Sequence, residues 1–87
     1  MMIFETMSGA KYKLRNVEAD TEGGYVGELV RLGDRPFHHI DVEVDMNDGE
    51  WGKVLFYRMP AIGESFRYWH ERWMACASTP VKAFLKD

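Results

Sequence analysis

The eight residues Phe66-Arg67-Tyr68-Trp69-His70-Glu71-Arg72-Trp73 interleave aromatic rings with cationic side chains. Rings stack on nucleobases and guanidinium forks pair with phosphate, so such a run can hold a nucleotide-like ligand. In that reading Arg67, His70 and Arg72 take the phosphates, and Tyr68, Trp69 or Trp73 takes the base. The structural alternative puts one face of the run in a core and the rest in intramolecular cation–π packing. A second constellation is acidic. Asp41, Glu43 and Asp45 alternate with Ile40, Val42 and Val44. On a strand this sets three carboxylates along one face, where like charges about 7 Å apart repel one another. Such a row calls for a basic counterpart, either Lys11, Lys13 and Arg15 of the same chain or the surface of another protein. As a purely structural device it is a solvated face that discourages edge pairing.

Other chemistry is poorly supplied. His38 and His39 are adjacent, so on a strand their rings point to opposite faces, and His70 is remote in sequence. No ligand spacing for a metal results, and neither metal nor cofactor is expected. The single cysteine, Cys76, excludes an internal disulfide and a cysteine-clustered zinc site. It reads as a small apolar filler, since nothing in the sequence sets a basic partner beside it. There is no Ser-His-Asp order, no glycine-rich phosphate loop and no Cys-His pair. No catalytic residue is assigned, and the expectation is a protein that is not an enzyme.

The elements that must position these groups read as short strands. Glycine and proline punctuate the chain about every ten residues, the rhythm of an all-β domain. Strands are expected over residues 2–7, 11–17, 25–32, 37–45, 51–59 and 81–85, with turns or breaks at Ser8-Gly9, Gly23-Gly24, Gly33-Asp34-Arg35-Pro36, Met46-Asn47-Asp48-Gly49 and Pro60-Ala61-Ile62-Gly63. The strand over 37–45 is expected to pair antiparallel with that over 51–59. Val54-Leu55-Phe56-Tyr57 is apolar on both faces, which suits a central strand or one whose outer face meets a partner. Ser78-Thr79-Pro80 is expected to end the segment before it, leaving 81–85 at an edge. Residues 65–73 fit two periods. As a strand, Phe66, Tyr68 and His70 share a face opposite Arg67, Trp69 and Glu71. As a helix, Phe66, Trp69, His70 and Trp73 form a stripe. Aromatic residues favour the strand. The fold class expected is therefore mostly β, a small antiparallel barrel or strongly twisted sheet of six to seven short strands. A short helix near residues 65–77 would make it α+β.

Eighty-seven residues suffice for one domain, 46% of them hydrophobic, with five Phe, four Tyr and three Trp. That aromatic share supports a core in a small domain and also suits a binding surface. The net charge of −3 disfavours binding to a phosphate backbone, so nucleic acid is not an expected partner. No apolar run reaches the length of a membrane span, and the first residues lack the form of a signal peptide. A cytoplasmic location is expected.

Ser8-Gly9 with Tyr12-Lys13-Leu14, then Trp51, then Pro60-Ala61-Ile62-Gly63-Glu64, then Ser78-Thr79-Pro80-Val81 together resemble small β-rich proteins of bacteriophage and prophage genomes. The resemblance implies a context and no reaction. It suggests a non-enzymatic binding protein in a host cytoplasm. One form is a homo-oligomer that sequesters a nucleotide-like signal through Arg67, Tyr68, Trp69, His70, Arg72 and Trp73. A second is an antagonist of a host defence complex that acts through Asp41, Glu43 and Asp45. A third is a virion component or assembly accessory.

Overall fold

The computed structural model describes residues 1–32, 37–39, 42–44, 50–72 and 74–86, with backbone alone for 37–39 and 42–44. The described strands are β1 (Met2–Thr6), β2 (Lys11–Ala19), β3 (Tyr25–Leu32), β4 (Phe37–His39), β5 (Val42–Val44), β6 (Gly52–Phe56), β7 (Ser65–His70) and β8 (Met74–Leu85). The described residues contain no helix, and so none long and apolar enough to cross a membrane.

Six strands close into an antiparallel barrel in the order β1-β2-β3-β6-β7-β8, and β8 returns to β1. Alternation decides what fills it. Phe4, Tyr12, Leu14, Leu29, Val54, Phe56, Phe66, Tyr68, Cys76 and Val81 point inward and pack into one core. The rings carry much of that packing. Phe4 stacks on Tyr12 at 5.2 Å between centroids, and Phe66 meets Phe56 edge-on at 5.3 Å. A six-stranded barrel has a narrow interior, so large rings fill it with few residues.

Residues 65–70 are strand, and the helical stripe does not form. The strand period wins because it buries Phe66, Tyr68 and His70 together and leaves Ser65, Arg67 and Trp69 outside. Residues 37–45 are not one strand. Phe37 pairs with Val44, His38 with Glu43 and His39 with Val42, so the segment folds back on itself. It does not supply the neighbour of β6, which pairs with β3 and β7 instead.

The last strand also differs from the expectation. β8 runs for twelve residues through Ser78-Thr79-Pro80 and is no edge. Its first half pairs with β7 and its second half with β1. The register slips between Ser65 and Arg67, and there the Ser78 hydroxyl accepts the Phe66 N–H at 2.9 Å. Pro80 sits at this irregularity, where its missing N–H is tolerated. Its carbonyl accepts the Met7 N–H at 2.9 Å.

Candidate functional site

Strand geometry divides the aromatic and cationic run of residues 66–73. Tyr68 and His70 are buried inside the barrel, whereas Arg67 and Trp69 stand on its outer face. Arg72 lies in the turn after β7, where its side chain meets Glu50 at 3.3 Å and its backbone N–H donates to His70 Nδ1 at 3.0 Å. Trp73 lies outside the described residues. The five described ligand candidates, Arg67, Tyr68, Trp69, His70 and Arg72, therefore do not converge on one surface, because alternation sends neighbours to opposite sides of a strand. Asp41 and Asp45 also lie outside the described residues, and Glu43 is placed in β5 by its backbone alone.

The buried members meet other polar groups. Tyr12 pairs with Arg31 across β2 and β3, and Tyr68 with Cys76 across β7 and β8. Burial raises the Tyr12 phenol above its ordinary pKa, opposed by the neighbouring Arg31 guanidinium. Burial raises Tyr68 further, with Tyr12 and Cys76 adding to it. The Tyr68 hydroxyl has no hydrogen bond of proper geometry to a described residue. Burial also pushes the Cys76 thiol up to about 11, so it stays a thiol at neutral pH.

The outer face is different. Glu18 pairs with Val26, Val26 with Leu55, Leu55 with Trp69, and Trp69 with Ala75. One row of side chains thus crosses five strands outside the barrel. Leu55 is 42% exposed and Trp69 49% exposed, and the Ala75 methyl leaves that flank of the indole open. Val26, Leu55 and Trp69 of this row floor a groove of about 590 Å³ that Glu18, Glu28, Lys53 and Glu71 also line.

Its electrostatics are set by one irregularity in β2. The register slips between Arg15 and Glu18, and Asn16 there takes φ 54°, which asparagine tolerates better than most residues. The bulge aims Asn16 Nδ2 at Glu28 Oε1, 2.6 Å away, and Arg15 Nε reaches the same oxygen at 3.2 Å. The Asn16 hydrogen bond, with help from Arg15 and Lys53, holds the Glu28 carboxyl below its ordinary range against the opposing effect of desolvation. Arg15 in turn lies 3.8 Å above the Trp51 ring. Glu28 is thus engaged, while Glu18 and Glu71 form no ion pair with a described residue. The groove combines a half-exposed indole, two aliphatic side chains and two open carboxylates against the single Lys53 ammonium, so its open charge is negative. That set attracts a cation carried on an apolar stem.

Of the described residues assigned to a ligand or partner from sequence, Trp69 lines the groove. Glu18, Glu71, Val26 and Leu55 were missed as site residues. The apolar run 54–57 did carry a signal, since a strand apolar on both faces suits a partner on its outside. Comparison with protein-family models, with curated proteins and with solved structures finds no match for this chain.

Proposed function

We propose that this chain is a non-enzymatic binding module that takes a basic, partly apolar segment of a partner protein in the Trp69 groove. The observation that carries the reading is the row Glu18–Val26–Leu55–Trp69, an exposed apolar floor ending in a carboxylate that forms no ion pair with a described residue. Contiguous exposed apolar surface on a small soluble domain marks an interaction site. The groove volume of about 590 Å³ falls in the range of ligand sites, and it lies open along the sheet, as an extended segment requires. A lysine or arginine fits it best, because the stem covers Leu55 and the charge reaches the indole face and the Glu18 or Glu71 carboxylate. A second copy docked groove to groove would set rims of three carboxylates and one ammonium, net negative on both sides, against each other, so self-association through this face is disfavoured. The reading keeps the antagonist class expected from the sequence and adds Glu18 and Glu71 to its acidic residues.

The test is a titration of a short lysine–leucine peptide and its glutamate–leucine counterpart, read by NMR amide shifts. The basic peptide should shift the amides of residues 18, 26, 55 and 69, and added salt should weaken it. Reversing both open carboxylates, E18K with E71K, should weaken it about tenfold, or ~1.4 kcal/mol, a few tenths to one for each exposed pair. Equal binding of the two peptides, or binding unchanged in Trp69→Ala, would refute the proposal.

A further inference from the structure

One position along β7 from Trp69, the same outer face changes character. Tyr57, Arg58, Met59, Glu64, Ser65 and Arg67 enclose a second concavity of about 600 Å³. Tyr57 follows the end of β6 and Arg67 lies on β7, and both line this concavity just past the β6–β7 ladder. We infer that this concavity is a separate anion-accepting site, for a planar aromatic ligand carrying a phosphate monoester, a mononucleotide in chemical class. The inference is independent of the Trp69 groove.

Four observations carry it. Tyr57 is 80% exposed, yet its ring is seated. A Cβ on Gly24, whose φ is +76°, would lie 2.8 Å from Tyr57 Cδ1 and 2.8 Å from the Phe56 carbonyl oxygen. The ring therefore rests on the bare backbone of the β2–β3 turn and offers its remaining surface to a ligand at little entropic cost. Met59, 40% exposed, adds an adaptable apolar wall. Arg67 makes no side-chain hydrogen bond or ion pair with a described residue, and its neighbour on β8 is the small Ala77. Arg58 meets Glu64 at 3.3 Å, but both side chains are more than half exposed, so the pair is weak and an anion can displace it.

The charge balance supports an anion. Two guanidinium groups face one carboxylate, and Ser65 adds a hydroxyl donor. A phosphate presents oxygens to both guanidinium forks, while an attached base lies against Tyr57. Glu64 opposes it. That yields an unusual expectation, since removing a charge from the site should strengthen binding.

The experiment is an NMR titration of the 87-residue chain with three probes: AMP, adenosine and inorganic phosphate. AMP should shift the amides of residues 57, 65 and 67, and bind about tenfold or more tighter than either fragment. Arg67→Ala should weaken AMP about tenfold, and Glu64→Gln should tighten it several-fold. All substituted side chains lie on the surface, and thermal melting checks that each variant folds. Adenosine or phosphate binding as well as AMP would overturn the inference, as would an unchanged affinity in R67A or weaker binding in E64Q. The two sites fail separately. Arg67→Ala should leave lysine–leucine peptide binding intact, and E18K with E71K should not weaken AMP.

Discussion

Replacing Gly52 by alanine tests the inner geometry of the barrel most directly. Gly52 opens β6 and faces the buried His70 imidazole. A Cβ at position 52 would stand 2.7 Å from His70 Cε1 and 3.3 Å from Cδ2, and nearer still to Nε2. Three ring atoms on one side make this a contact with the body of the imidazole, and the ring cannot rotate away freely. Its Nδ1 accepts the Arg72 N–H at 3.0 Å, and that bond ties the turn after β7 to the strand. Alanine therefore forces one of two outcomes. If β6 moves aside, the overpacking costs about 1–3 kcal/mol. If His70 swings out, the Arg72 bond is lost as well, about 0.5–1.5 kcal/mol more. A domain of this size loses roughly 4–8 °C of Tm per kcal/mol, so G52A should melt on the order of 5–35 °C below the parent. Urea unfolding followed by circular dichroism measures the same loss. The double variant with His70→Ala separates the causes, because a cavity in place of the ring relieves the crowding. Its cost should fall short of the sum of the single costs by more than ~1 kcal/mol. A G52A protein within ~0.5 kcal/mol of the parent, or strictly additive costs, would show that the imidazole does not cover Gly52.

Two further measurements follow from buried titratable groups. Burial holds the His70 imidazole below its ordinary pKa of 6.5; Glu71 opposes this and Arg72 reinforces it. The unfolded chain then takes the proton first as pH falls. The contribution is intact above about pH 6.5 and drains away below it, by at most ~1.4 kcal/mol per pH unit for one proton. His70→Gln should flatten that part of the urea-stability profile between pH 7 and the acid limb at about pH 5, and an unaltered slope would refute the assignment. Cys76, with its thiol raised to about 11 and its side chain buried, should react with an aromatic disulfide reagent only as fast as the barrel opens. Denaturant should bring labelling to one equivalent, whereas immediate full labelling of the native protein would contradict the placement.

Much of the barrel is legible in the sequence because each strand buries one face. The expected bounds of β3, residues 25–32, are those observed. Tyr12 and Leu14 lie inside and Lys11 outside, as their alternation requires. What escapes is long-range pairing. Alternation over 37–45 is local, and it survives a reversal in the middle of the run, so it does not reveal that the segment pairs with itself. Pro80 reads as a stop because proline cannot donate to a ladder, and only the bulged register of β7 and β8 shows why it is accepted. The candidate site is harder to read for a related reason. Eight consecutive aromatic and cationic residues look like one cluster, yet the strand period sends Tyr68 and His70 inward. The groove draws instead on Glu18, Val26, Leu55 and Trp69, one from each of four strands, which no spacing along the chain connects.

The divided loyalty of β8 bears on how the chain folds. Four of the barrel's six ladders join strands that are neighbours in the barrel and close in sequence, and the β3–β6 ladder spans an excursion of moderate length. The β1–β8 ladder alone joins the two extremities, Ile3 with Leu85 and Thr6 with Val81. Bringing such distant segments together carries the largest loop-closure entropy of any ladder, so this seam should form late and limit the folding rate. Until it forms, β1 and β8 each present unpaired backbone to solvent, and the partly folded chain has two sticky borders. Val81, fully buried and bonded to the 63–64 loop while pairing with Thr6, is the stitch that closes both at once.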